Sequence, residues 1–214
     1  MNINMDSESK NSIVKTGTTI LGIVCKDGIV MAGDNRVSMG QSLIIQKDYE
    51  KVYPLNGYLL FAGCGSATET QKIAKILTAE LKLKFLRSKK RPTVREAASL
   101  LSNLQVSQSA FILGGLDEDG EVSLYEITGG FLNLIKDYTA SIGSGMPYVL
   151  GFLERQYKKG ITIKEGIELA KESIKSSTQR DMASGNGMDI YSITKEGIKK
   201  EVSQEILPEY KDKK

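Results

Sequence analysis

Apolar and polar positions along this chain change period several times, and each change marks an element. From Gly17 to Gly28 the apolar residues cluster and alternate as in a strand. Lys26-Asp27-Gly28 reads as a turn, and Ile29 to Asp34 returns as the second arm of a hairpin. Two short apolar runs, Lys51 to Leu55 and Tyr58 to Ala62, flank Asn56-Gly57, a strong hairpin-turn dipeptide. After Gly63-Cys64-Gly65-Ser66 the period lengthens. Ser66 is placed to cap a helix whose apolar residues Ile73, Ile76, Leu77, Leu81 and Phe85 recur three or four apart, closed by the basic cluster Arg87 to Arg91. Thr93 with Glu96 forms a capping-box pattern opening a second helix that carries Ala97, Leu100, Leu101 and Leu104.

The strand period resumes at Ala110 to Gly115, passes an Asp117-Glu118-Asp119-Gly120 turn into Val122 to Ile127, and continues beyond Gly129-Gly130. A third helix is predicted after Gly145, with Tyr148, Leu150, Phe152 and Leu153 to bury. Thr162 and Glu165 open a fourth, running through Ile167, Ala170 and Ile174 to about Arg180. Met188 to Thr194 and Ile198 to Val202 close as a hairpin across Lys195-Glu196-Gly197. Strand runs alternating with helix pairs argue for packed antiparallel sheets with helices outside, an α+β class. No repeat or linker divides the 214 residues.

Composition narrows the chemistry more than the fold. Hydrophobic content of 40% with 26% charge is that of an ordinary globular chain, and the net charge of +3 owes something to the tail lysines Lys211, Lys213 and Lys214. Basic residues are interleaved with acids, so no stripe points to nucleic acid. No run approaches the ~20 apolar residues of a membrane span. The leader, Met1 to Gly17, carries charge where an export signal needs an apolar stretch; it reads as a disordered start or a short propeptide, residues 1–17, ahead of one domain, 18–214.

There is no histidine, which excludes Ser-His-Asp and Cys-His hydrolases. Cys25 and Cys64 are the only thiols, so a His/Cys zinc site is excluded too, and no metal or other cofactor is expected. Cys25 sits in an apolar run, where a buried thiol is the plain reading. What remains attractive is a threonine made N-terminal by cleavage between Gly17 and Thr18. Its own α-amine, titrating near ~8, then serves as the base. By spacing alone Thr18 is simply a β-branched strand residue.

Five short motifs in order decide between those readings. They are Gly17-Thr18-Thr19-Ile20-Leu21-Gly22, Gly33-Asp34-Asn35-Arg36, Lys51 with Ala62-Gly63-Cys64-Gly65, Gly143-Ser144-Gly145, and Arg180-Asp181-Met182-Ala183-Ser184-Gly185. Together they resemble a proteasome β subunit of archaeal type, from Thr16 to about Val202. The resemblance implies a four-layer αββα sandwich of the N-terminal-nucleophile hydrolase type and a threonine endopeptidase. Thr18 is then the nucleophile, exposed by self-cleavage after Gly17, and Lys51 the ammonium that favours its alkoxide-like form. Asp34 holds Lys51, while Ser144, Asp181 and Ser184 surround the threonine amine. Gly63, between a strand and a helix, offers an N–H to an oxyanion. Ser38 and Gly65, with Gly63, pair with an extended substrate. Val37, Phe61 and the stretch around Gly65 shape an apolar specificity pocket, whereas Glu69 near its floor would favour a basic side chain.

The placement of Lys51 needs one extra residue after Met39; a gapless count selects Glu50. Ile20 and Ala183 depart from the commonest family residues. The resemblance further implies a seven-membered ring of β subunits, an α-subunit ring, an ATP-dependent unfoldase acting through it, unfolded polypeptide as substrate, and a cytoplasmic location. The alternative is a catalytically silent structural subunit of the same ring. Such subunits typically lack the threonine, the lysine or the glycine before the cut, all of which are present here.

Overall fold

Strict alternation of buried side chains along the central strands explains how two sheets come to lie face to face. The computed structural model describes residues 17–39, 43–106 and 109–205. Residues 1–16 of the expected propeptide and the tail lysines fall outside them. The first sheet has the order β10-β1-β2-β11-β12, built from β1 (Ile20–Cys25), β2 (Gly28–Asp34), β10 (Tyr138–Ala140), β11 (Gly187–Thr194) and β12 (Gly197–Glu205). The second has the order β5-β6-β7-β8-β9, from β5 (Val52–Pro54), β6 (Leu59–Gly65), β7 (Ser109–Leu116), β8 (Val122–Thr128) and β9 (Phe131–Ile135). The strand pairs in both are antiparallel.

Ile20, Ile29, Met31, Tyr191 and Ile193 of the first sheet meet Leu60, Ala62, Cys64, Ala110, Ile112 and Leu124 of the second. The intervening residues face outward in each sheet. Leu59, Phe61, Phe111 and Leu113 pack under α1 (Ala67–Ser88) and α2 (Val94–Asn103). Leu21, Ile23, Val30, Ala32 and Ile190 pack under α3 (Met146–Gln156) and α4 (Ile163–Thr178).

The helix starts behave as their sequences dictate. Ser66 accepts the Glu69 N–H, and both Thr93/Glu96 and Thr162/Glu165 form complete capping boxes. Phe85 is the exception to the predicted apolar stripe of α1. It is 46% exposed, because the last turns run beyond the sheet that Ile73, Leu77 and Leu81 cover. Two short strands, β3 (Val37–Met39) and β4 (Leu43–Gln46), form a separate hairpin that the periodicity did not signal. Leu43, Ile44 and Ile45 are consecutive and all exposed, a run with neither period.

Register brings one end of the sandwich together. Ile20 pairs with Gly33 and Leu21 with Ala140, while Met188 faces Asp34 and Val52 faces Ala62. The start of β1, the end of β2, the turn after β10, the turn after α4 and the lead into β5 therefore converge. Ile112 is fully buried between the sheets, so Ile112→Ala is expected to lower stability by about 2–5 kcal/mol, read by denaturant unfolding.

Candidate active site

Asp34, the last residue of β2, is fully buried and is met by four donors. Its Oδ1 accepts the Thr19 N–H and the Lys51 ammonium, both at 2.7 Å. Its Oδ2 accepts the N–H of Gly185 at 3.0 Å and of Arg36 at 3.1 Å. One carboxylate thus joins β1, β2, the turn after α4 and the segment entering β5.

Lys51 is 4% exposed. Its Nζ reaches the Gly17 carbonyl at 3.2 Å as well as Asp34. Burial draws the Lys51 pKa below the ordinary 10.5, and the Asp34 carboxylate opposes that shift without cancelling it. Glu50, the gapless choice, turns the other way: its carboxylate accepts the Tyr191 hydroxyl at 2.5 Å and pairs with Lys200 at 2.8 Å. The Thr18 hydroxyl donates to the same Gly17 carbonyl at 2.7 Å, so hydroxyl and ammonium converge on one oxygen.

Thr18 is 2% exposed, still joined to Gly17, and its N–H donates to Ser144 Oγ at 3.2 Å. Ser144 donates to Asp181 Oδ2 at 2.5 Å, as does Ser184 from the other side. Asp181 Oδ1 accepts the Ala183 N–H at 3.1 Å, which folds the Asp181–Ser184 turn upon its own carboxylate. Thr18, Asp34, Lys51, Ser144, Asp181 and Ser184 thus occupy one end of the sandwich.

Gly17 itself is closely fitted. A Cβ there would lie 1.7 Å from the Cβ of Ala183, so the position tolerates no side chain without movement. Its N–H donates to Ser38 Oγ at 3.2 Å, which sets the residue before the expected cut against β3. Ser38 is buried and Val37 beside it is 8% exposed.

Two predicted roles do not fit. Gly63 lies within β6, and its N–H points to the Lys51 carbonyl at 3.4 Å, a cross-strand contact that occupies the donor. A Cβ on Gly63 would strike Thr70 of α1 at 2.3 Å, so its Cα faces the helix rather than a cleft. Phe61 is fully buried on that same helix-facing side of β6, its ring against Tyr53 and Phe111. It lines no cleft. Gly65 ends β6 with φ at 100°, a conformation that favours glycine, just before the Ser66 cap.

Other residues of the site carry no role in the motif reading. Arg36 donates from Nε to Asn186 Oδ1 at 2.9 Å and from Nη1 to the Met182 carbonyl at 2.7 Å, clamping the turn that bears Asp181. Its place two residues after Asp34 was the available signal. Both thiols are free and buried; burial pushes Cys25 up to about 12 and Cys64 also upward, so neither is a ready thiolate. Among the described residues no group of three or more acidic, Cys or His side chains is placed to hold a metal.

The chain is similar to known proteins over most of its length. The family model described as proteasome subunit matches residues 14–193. The proteasome subunit beta of Nanoarchaeum equitans is 42% identical over 190 residues, covering 86% of this chain and 96% of that protein. That of Methanocaldococcus vulcanius is 38% identical over 197 residues, covering 89% and 87%. Proteasome subunit beta 2 of Pyrococcus abyssi is 34% identical over 189 residues, covering 86% and 89%. With its family model spanning most of the sequence, and relatives of this similarity over nearly their full length, the chain belongs to the proteasome β-subunit family.

Proposed function

We propose that this chain is an active threonine endopeptidase subunit, made from a precursor by its own cleavage between Gly17 and Thr18. The layered arrangement is read as the four-layer αββα sandwich of N-terminal-nucleophile hydrolases, with residues 1–17 as propeptide and 18–214 as the working domain. The observation that carries the reading is the meeting of the Thr18 hydroxyl and the Lys51 ammonium on the Gly17 carbonyl.

In the precursor, Thr18 Oγ1 attacks the Gly17 carbonyl carbon. Negative charge grows on the Gly17 oxygen, where the Lys51 ammonium already donates, so the charge develops beside a preorganised cation. This supplies for the precursor carbonyl the donor that the Gly63 N–H, directed at Lys51, does not. The C–N bond then breaks, the hydroxyl proton passes to the departing Thr18 nitrogen, and an ester joins Gly17 to Thr18 Oγ1. Water hydrolyses the ester, leaving the leader with a C-terminal carboxylate and Thr18 with a free amine.

That amine is the general base for substrate. It takes the Oγ1 proton directly or through water as the hydroxyl attacks a peptide carbonyl. The Thr18 nitrogen already sits beside Ser144, which is held by Asp181, so the amine is oriented where it forms. Ser38, which accepts the Gly17 N–H, lies beside the residue preceding the proposed cut, and Val37 and Gly65 are assigned to the specificity pocket on the family resemblance. Membership of the family implies assembly with other proteasome subunits. The finer picture is a seven-membered β ring under an α ring, fed with unfolded polypeptide by an ATP-dependent unfoldase in the cytoplasm. No helix among the described residues is long and apolar enough to cross a membrane.

The first test is intact mass together with peptidase activity of the assembled protein. Wild type should yield a chain beginning at Thr18; Thr18→Ala should keep the leader and lose turnover while still assembling. A wild-type chain that stays uncut, with no turnover, favours the silent structural subunit instead.

Two further outcomes follow from the ion pair. The charged form of Lys51 is the one required, and it is lost as pH rises through a pKa held below 10.5. Activity should therefore fall on an alkaline limb centred below that pH, measured as kcat/KM against pH; a flat profile through pH 10.5 removes Lys51 from the mechanism. Removing Asp34 leaves a buried, unpaired ammonium, so Asp34→Ala should cost about 3–5 kcal/mol in unfolding. Lys51→Met should cost less, because Asp34 keeps the N–H groups of Thr19, Arg36 and Gly185.

A further inference from the structure

The hydrogen-bonded row that starts at the Thr18 nitrogen does not stop at Asp181. Thr19 Oγ1 lies 2.7 Å from Ser184 Oγ and 2.5 Å from Ser177 Oγ. Thr19 is 1% exposed, and Ser177 and Ser184 are wholly buried, so bulk water does not compete for these contacts.

Proton counting gives the arm beyond Asp181 a single direction, toward the carboxylate. An ionised carboxylate only accepts, so Ser144 and Ser184 each spend their one proton on Asp181 Oδ2. Ser184 can then meet Thr19 only as an acceptor, and Thr19 must donate. Thr19, its proton spent, meets Ser177 only as an acceptor, and Ser177 must donate. The order Ser177→Thr19→Ser184→Asp181 is the one assignment that makes every contact a hydrogen bond. Such chains strengthen each member by mutual polarisation.

The helix at the far end is committed to this use. Ser173, one turn earlier in α4, donates back to the Leu169 carbonyl as serines inside helices often do. Ser177 instead faces Thr19, while its own carbonyl accepts the N–H of Asp181 at 2.8 Å and of Arg180 at 3.0 Å. The same residue therefore begins the hydroxyl row and fixes the turn that carries Asp181. Gly145 closes the pair from the other side: a Cβ there would lie 1.7 Å from Thr19 Oγ1 and 2.3 Å from Ser177 Oγ.

We propose that Thr19 and Ser177 are positioning residues, a directed hydroxyl pair that locks Ser184 and Asp181, and through them Ser144, against the nitrogen of Thr18. The inference rests on the threonine-peptidase function proposed above and extends it to two side chains that touch neither substrate nor the reacting atoms. Thr19 is then selected for its hydroxyl. Thr19→Val keeps the branched shape and removes the donor, and Thr19→Ser keeps the donor and removes a methyl.

The test uses the full-length chain assembled with its partner subunits, with kcat and KM measured on a fluorogenic peptide. Turnover present in wild type and absent in Thr18→Ala is the baseline; if that difference is missing, the function itself fails, and no Thr19 variant is needed to see it. Given the baseline, Thr19→Val should lower kcat about tenfold, as loss of a buried hydroxyl contact predicts. KM should stay within about twofold, the pattern of a group needed for the chemical step rather than for binding. Thr19→Ser should restore kcat. Unchanged kcat in Thr19→Val, a change confined to KM, or Thr19→Ser as impaired as Thr19→Val would each overturn the proposal. Should Thr19→Val not assemble, Ser177→Ala decides: a fall in kcat of about threefold supports the directed pair, and wild-type kcat refutes it.

Discussion

A buried carboxylate paired with a buried ammonium is the constraint around which this end of the molecule is organised. Taking both charges out of water costs several kcal/mol per ion unless the geometry returns it. Asp34 meets that condition with three backbone N–H groups besides Lys51, each from a different part of the chain. The carboxylate is satisfied only when β1, β2, the turn after α4 and the lead into β5 are all in place. The pair is thus less a local contact than a statement that the whole sandwich end has closed.

The same geometry explains how the proposed nucleophile is kept inert before cleavage. In the uncut chain the Thr18 nitrogen is an amide, without basicity, and the side chain is 2% exposed. Gly17 covers it, held by Ser38 on one side and abutting Ala183 on the other. Yet the covering residue is the one whose carbonyl the hydroxyl and the ammonium both address. Protection and the proposed self-cleavage therefore use a single arrangement, and the small side chain of Ala183 is part of what lets Gly17 enter it.

Much of this was readable in the residues. The two periods, the caps and the hairpin turns place nearly every element, because local propensity and burial agree there. The β3–β4 hairpin escaped because Leu43-Ile44-Ile45 is exposed on both faces and has no alternation to detect. Choosing Lys51 over Glu50 from sequence needed an assumed extra residue. The physical reason is tertiary: Tyr191 and Lys200, some 140 to 150 positions on, hold Glu50 outward and so turn its neighbour in. Phe61 and Gly63 were misplaced although strand alternation contained the answer. They share a face with Leu59, which packs under the helices, while Leu60, Ala62 and Cys64 face the other sheet. Thr19 and Ser177 could not be singled out, since a threonine in a strand and a serine in a helix are unremarkable until folding sets their oxygens 2.5 Å apart.

Sequence distance gives the site its timing. The Thr18 nitrogen meets Ser144 across 126 residues, Thr19 meets Ser177 across 158, and the Asp34 carboxylate meets the Gly185 N–H across 151. No hairpin or helix pair contains enough of the machinery to act alone, and contacts this remote form only after the entropy of closing long loops has been met. Under the proposed self-cleavage, the cut at Gly17 follows folding of the complete sandwich rather than accompanying synthesis of its first strands. On that reading a free nucleophile appears only in a chain whose sheets have already packed, so the length of the polypeptide between the reacting parts acts as a safeguard.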